Sequence, residues 1–431
     1  MMAVAPVASI LEGALCVLRE PDPYAKAAIA EALAACCADL PLAPPPPPQA
    51  GRAGGLAPPP RPARPTWLAT VDVSRAPRRG RGGTVDSRVA MLHALVHIES
   101  WAIDLAADCV ARFAAAAAAA ESGAKSPPPT PSPYPRQLAT DFVAVMADEA
   151  RHFSLLDARL REVHPQGRGY GCLPAHEGLW ESAQRTARSL PARLAVESCL
   201  HEARGLDRLP LTVSRFRAGG DDRTADLLEG VVLGEEVAHC AAGVRWLTFL
   251  HARARGEGER GALGRASAAA GAAVAFPLAP PGRAPPGEAG GGAALAEGGR
   301  FAARIGGGGG DKDEGEDEAA PGSPAFGAPA GFDEEDWRED ARRHATPALW
   351  FRSLVARHFH GRLMPPFNEE ARARAGLTRE WYAEEEEEEG GRAAGEGRTE
   401  EKKRATSAAA AAAAAGARRE EAARSREIKG V

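Results

Sequence analysis

The sequence predicts an all-α fold: a four-helix bundle preceded by an N-terminal helical hairpin and followed by a C-terminal helical extension. Three observations carry this expectation. Apolar residues recur at three-and-four spacing over several long stretches, as one face of a helix requires. Four of these stretches are long enough to form the sides of a bundle. The 47 glycines and 36 prolines gather with alanine runs in separate segments that cannot supply a core.

Residues 1–40 hold two short helical patterns, ASILEGALCVL and YAKAAIAEALAACCADL, split by the turn-forming EPDP. Residues 41–85 form a proline- and arginine-rich connector, extended and either loose or wrapped over a surface. The bundle proper is expected over 86–253. Its first helix runs from Ser87 to Phe113 with Leu92, Val96, Ile103, Ala106 and Val110 on one face, and Glu99 sits within that apolar stripe. An alanine-, proline- and serine-rich insert covers 114–133, its alanines suited to lengthening the helix until proline stops it. The second helix, 136–163, buries Phe142, Val145, Glu149, His152, Phe153 and Leu156. A glycine-rich turn then leads to a third helix over about 177–204, with Gly205 placed as its C-terminal cap. A short helix follows, and DDRTADLLEGVVLGEEVAHCAAGVRWLTFLHARA is the fourth long one. Residues 254–347 are expected to be disordered, 348–382 to pack as a helical extension, and 383–431 to be a solvated charged tail.

A net charge of −5 gives no overall nucleic-acid or membrane signal. The seven cysteines, 16, 36, 37, 109, 172, 199 and 240, contain no C-x-x-C and sit mostly in apolar helical contexts. They suit reduced, packed thiols in a reducing compartment. No run approaches the length of uninterrupted apolar chain that spans a bilayer, and no basic segment precedes a clean apolar block at the start. A cytoplasmic protein is therefore the expectation, without a membrane partner.

Chemistry concentrates where ligand-type residues interrupt apolar stripes: Glu99, Glu149 with His152, Glu202, and Glu236 with His239. One Glu, then Glu-x-x-His, then one Glu, then Glu-x-x-His is the ligand order of ferritin-like di-metal bundles. At about 100° per residue, positions i and i+3 project about 60° apart and nearly one turn along, so both side chains reach inward together. Two carboxylates can then bridge two ions, while each histidine and each remaining glutamate serves one; carboxylate plus imidazole suits iron or manganese. Glu202 and Glu236 are 34 residues apart and Glu99 and Glu149 are 50. Without the insert the second interval shrinks to about 33, the spacing of a duplicated helical hairpin. Among eleven histidines about one Glu-x-x-His pair arises by chance, so placement in buried stripes gives the two their weight. The bland alternative is a plain bundle whose acids lie at its edges and pair with arginines.

Other residues carry weaker signals. His93 and His97 project about 120° and 200° from Glu99 and read as edge or supporting groups. Asp148 and Glu235 precede the ligand glutamates by one position, about 100° away, and read as surface acids. His176 and His201 suit capping or packing. Arg75, Arg78, Arg79 and Arg81 can touch phosphate, but a basic connector lying on an acidic bundle accounts for them equally simply, and a nucleic-acid partner is not expected.

Several blocks together, PPPRPARP with HALVHIESWAIDLAAD, ADEARHFSLL, YGCLPAHEGLW, LHEARGLD, GEEVAHCAAGVRW and PPFNEEARARAG, resemble a ferritin-like family whose domain is of unknown function. The resemblance covers about 6–113, 134–253 and 348–382; the inserts depart from the family's compact pattern without removing a ligand. It implies that Glu99, Glu149, His152, Glu202, Glu236 and His239 hold two metals, iron or iron with manganese. The same superfamily includes rubrerythrin-like peroxidases, bacterioferritins and a tRNA-modifying hydroxylase, but fold does not fix function. The expected activity is a di-iron oxidoreductase acting with dioxygen or peroxide on an unknown organic substrate. The alternatives are an iron-binding, ferroxidase-type protein and a metal-free helical interaction module.

Overall fold

The computed structural model describes residues 7–43, 57–121, 135–271, 274, 334–361 and 363–383. All lie in one contact unit, Met1–Ala383; a second, Glu384–Val431, falls outside the described residues, and the expectation of a solvated tail falls with it. The expectations for 122–133 and 275–333 lie outside them too. Among the described residues the architecture is all-α, and the β structure is one isolated parallel bridge between Thr70 and Ala175.

The N-terminal hairpin consists of α1, Ile10–Arg19, and α2, Pro23–Cys36. Ser9 caps the first through the Glu12 amide, and Asp22 caps the second with Pro23 at its first turn. From α2, buried Lys26 reaches Asp104 at 2.5 Å. Asp104 belongs to α3, Val85–Glu121, which packs against α4, Arg136–Val163. The second helix thus runs over the expected residues. Part of α3, Val85–Phe113, is long and apolar enough to cross a membrane, and 72% of its most apolar window is buried inside the protein, as in a core helix.

The connector is bound to this framework over its described part. Arg64 joins Asp104 at 2.6 Å and lies 3.4 Å over the ring of Trp101, while the Ala63 amide donates to the Leu18 carbonyl. Ser87 Oγ accepts from the Gly82 amide and donates to the Arg79 carbonyl, so the arginine-rich turn is tied to the start of α3.

The third helix differs from expectation. Residues after the glycine-rich turn form α5, Gly178–Arg185, which stops at Thr186. Ser189 then caps a new start with Pro191 in its first turn, and the chain stays helical through α6, Leu190–Arg193, a π-helical segment, Leu194–His201, and α7, Glu202–Ala218. Gly205 lies inside α7 and caps nothing. The helix also runs through Pro210, which deprives the Leu206 carbonyl of its usual amide. Asn368 supplies the missing donor: its side-chain amide reaches that carbonyl at 3.1 Å from 162 residues away. A local reading cannot see this tertiary replacement.

The fourth helix also contains a π segment, Leu228–Val232, between α8, Asp222–Leu227, and α9, Leu233–Ala254. Arg245 and Trp246 of α9 both donate to Asp141 of α4, the latter at 3.0 Å, joining the two halves. Disorder over 254–347 is corrected at both ends. Helix α10, Glu259–Ala269, lies on α9 because Ala262, Ala266 and the following Ala270 are small enough to be fully buried there, and α11, Glu334–Arg342, also packs on α9. The C-terminal extension comprises α12, Pro347–His358, α13, Glu369–Arg374, and α14, Arg379–Tyr382.

Close packing of α9 against the first π segment hinges on Gly243, where a Cβ would lie 2.6 Å from the Ser198 carbonyl carbon and 2.8 Å from Cys199 Sγ. Gly243→Ala should therefore cost about 1–3 kcal/mol. Gly261→Ala on α10, where a Cβ meets nothing closer than 3.9 Å, should stabilise slightly. Urea titration of both variants checks the contrast, and equal midpoints would refute the packing argument.

Candidate metal centre

The four helical stretches bring all six ligand-type residues together. Glu99 comes from α3, Glu149 and His152 from α4, Glu202 from the start of α7, and Glu236 and His239 from α9. Ligand atoms of Glu99, Glu149, His152 and Glu236 lie within 4.8 Å of one another, as do those of Glu149, Glu202, Glu236 and His239. Glu149 and Glu236 belong to both groups, so either group can hold a metal ion and the two share two carboxylates.

The histidines present Nδ1 to the centre. His152 Nδ1 is 3.5 Å from Glu149 Oε2, 3.7 Å from Glu236 Oε1 and 3.8 Å from Glu99 Oε2. His239 Nδ1 is 2.9 Å from Glu149 Oε1 and 3.8 Å from Glu236 Oε2, and the two rings are 5.7 Å apart. Despite this crowding, both Nδ1 atoms and Glu149 Oε2 lack a hydrogen bond of proper geometry. Inward-facing lone pairs without protein donors are what a cation would satisfy, so the residues fit a metal.

Without a cation the centre holds protons instead. Burial, and then the charge of Glu149, push Glu99 well above the usual carboxylate range; burial and Glu236 do the same to Glu202. Burial opposes ionisation of Glu149 as well, but His239 and His152 hold its carboxyl well below that range. Burial likewise opposes charge on the two histidines, but carboxylates on both sides raise them well above the ordinary imidazole range.

Two acids have a role their positions did not suggest. His152 Nε2 hydrogen-bonds Glu235 at 2.7 Å and His239 Nε2 meets Asp148 at 3.4 Å, so each acid beside one helix's ligand glutamate serves the other helix's histidine. Arg151 joins both acids. A carboxylate only accepts, so each Nε2 carries a proton, and a cation that replaces the proton on Nδ1 would find that atom's lone pair facing inward. Asp148 and Glu235 are thus not merely surface acids. The pattern D/E-E-x-x-H in both halves was the available signal, but projecting one helix at a time hides a partner on the facing helix.

His93 and His97 are buried rather than at an edge, because residues 169–177 fold over them. His97 Nε2 meets the His176 carbonyl at 2.6 Å and its Nδ1 meets Tyr170 Oη at 2.7 Å; His93 Nε2 accepts from the Gly171 amide. Burial lowers His97 to about 3 and His93 to about 4, so both stay neutral pillars beneath that loop. The His176 ring caps Gly178 locally, while His201 packs edge-on against Phe359 and touches Ser182. Arg75 and Arg78 are exposed residues of the connector. All seven cysteines are free thiols. Of the six ligand-type residues, Glu202 alone is half-buried.

A family model described as "Protein of unknown function (DUF455)" matches residues 19–262, a span that contains all six. A Haemophilus influenzae protein described as "Uncharacterized protein" is 32% identical over 185 residues, 43% of this chain. The match covers 58% of that relative's length. No solved structure matches.

Sequence reading missed Glu197, which lies in the first π segment and is 4% exposed; Ser182 Oγ donates to it at 2.9 Å. Burial raises its carboxyl to about 7 against the partial opposition of Arg193. A carboxyl raised on folding stabilises fully below its unfolded value, and that contribution is lost as pH rises through about 7. Wild-type stability should therefore drop by about 3 kcal/mol from this group between pH 5 and 8. Glu197→Gln should remove that slope in urea titrations; an unchanged slope would exclude Glu197 as its source.

Proposed function

The chain belongs to the DUF455 family of proteins of unknown function, and from the centre within its matched span we propose a ferritin-like four-helix protein that binds two metal ions. We infer further that the metals are iron, or iron with manganese, and that the protein is an oxidoreductase using dioxygen or peroxide. The observation that carries this reading is the pair of ligand groups sharing Glu149 and Glu236. Carboxylate and imidazole donors suit iron and manganese better than the softer metals that thiolates select.

Bound iron would supply the electrons for reducing dioxygen or peroxide. The remaining work belongs to the chain. Glu149 and Glu236, common to both groups, would serve both ions, with Glu99 and His152 completing the set for one and Glu202 and His239 the set for the other. Glu235 and Asp148 fix the two imidazoles in the tautomer that faces inward. Burial of Glu99, Glu149, His152 and His239 keeps water from the reacting side. Half-buried Glu202 is the ligand with room to swing and admit an oxidant.

Iron handling without an organic substrate is the second reading. It differs by outcome: oxygen uptake that stops after stoichiometric oxidation of iron favours storage, whereas uptake sustained by a reductant or an organic substrate favours an oxidoreductase. A metal-free interaction module would leave four carboxylates crowded in a core with no ligand to justify their cost.

Purified chain loaded with ferrous ion should hold two irons. Glu149→Ala or Glu236→Ala should abolish binding of both, and Glu99→Ala or Glu202→Ala should lose one. Loading should raise wild-type stability by about 3 kcal/mol for each ion bound at a hundredfold excess over its Kd. A chain free of iron and manganese, whose Glu149→Ala and Glu236→Ala variants keep wild-type stability, would end the metal readings.

The outer acids give a separate test. Glu235→Gln and Asp148→Asn should weaken metal affinity by about 10- to 100-fold without changing the stoichiometry. Competition with a chelator of known affinity measures this, and wild-type affinity in both variants would remove those acids from the site.

A further inference from the structure

We propose that the metal centre opens to solvent past Gly205 of α7, and that ferrous ion and small oxidants such as peroxide reach it across this position; the inference rests on the di-metal reading above. The first ground is the glycine itself. A helix-interior glycine costs about 1 kcal/mol relative to alanine, so it calls for a reason. At Gly13 and Gly243 packing gives the reason: a Cβ would strike Leu33 Cδ2 at 2.8 Å and Cys199 Sγ at 2.8 Å. At Gly205 neither packing nor backbone does. Its φ is helical, and a Cβ there would meet only Glu236 Oε2, at an ordinary 3.9 Å. What the missing side chain leaves clear is the space in front of a bridging carboxylate. Gly230 and Gly234 also meet nothing, but both are exposed and face no atom of the centre.

The second ground is the direction of exposure. Glu202, three residues before Gly205 on the same face of α7, is half-buried, as is Gly205, whereas Glu99, Glu149, His152, Glu236 and His239 are at most 7% exposed. On the α3 side Glu99 is closed from solvent. The outer side of the histidines is closed by Arg151 bound to Asp148 and Glu235. Elsewhere on the same helix Arg204, Asp207 and Arg208 line a surface crease with Met364 and Phe367.

The test is a volume series at one position: Gly205→Ala, Gly205→Val and Gly205→Leu in the full chain, with Gly234→Leu as an exposed control. Metal-free protein is mixed anaerobically with ferrous ion, and samples are desalted at intervals for iron content. Uptake should be near wild type for alanine and fall with side-chain volume to about a tenth or less for leucine, at unchanged final content. Thermal unfolding of each variant should show stability equal to or above wild type, which separates a blocked passage from a damaged fold. Should leucine displace Glu236 and lower the final content, the alanine-to-valine comparison still decides. Uptake rates independent of volume, with full iron content, overturn the passage while leaving the metal site standing. A wild-type chain that takes up no iron overturns the metal reading and the passage together.

Discussion

Like charges resist burial, and four carboxylates meeting inside a protein is the constraint on which the rest of this structure turns. Each ionised group taken out of water costs several kcal/mol unless opposite charge stands beside it. Two imidazoles answer only half of that charge. Glu99 and Glu202 accordingly keep their protons in the absence of a cation, and the two histidines gain theirs. Such a cluster persists only on a scaffold too rigid to let it spread. Lys26 and Arg64 on Asp104, Arg193 on Asp108, and Arg245 on Asp141 supply that rigidity, each acid fully buried and each pair joining separate parts of the fold.

The two halves of the centre are reciprocal. One helix offers Asp148, Glu149 and His152, the other Glu235, Glu236 and His239, and each histidine looks inward to shared glutamates and outward to the other helix's acid. A shift of one helix along the other would break four contacts together, so helix register and ligand geometry are fixed by the same side chains. Gly243 sets the spacing on the next interface by letting α9 touch the backbone of the first π segment.

Much of this was legible in the residues. The apolar stripe that carries Glu149 and His152 identified α4 from end to end, and the six ligand-type residues meet where their spacing placed them. What escaped depended on contacts between distant segments. Gly205 looked like a cap because helix ends are read from local signals, while the helix continues with help from Asn368. His93 and His97 looked peripheral because the loop that covers them is 70 to 80 residues further on. Alanine-rich 259–269 looked unstructured because an alanine face shows its value only once a close-packing partner is known.

The amide that Asn368 lends to Leu206 also has a temporal consequence. On the ribosome, the strand of chain carrying Glu202 emerges long before residue 368, so α7 cannot complete its hydrogen bonding around Pro210 until the C-terminal extension has been synthesised and docked. Arg372, paired with Asp207 at 2.6 Å, arrives with the same segment. The helix that begins at Glu202 is thereby completed only when the segment carrying Asn368 and Arg372 has docked on it.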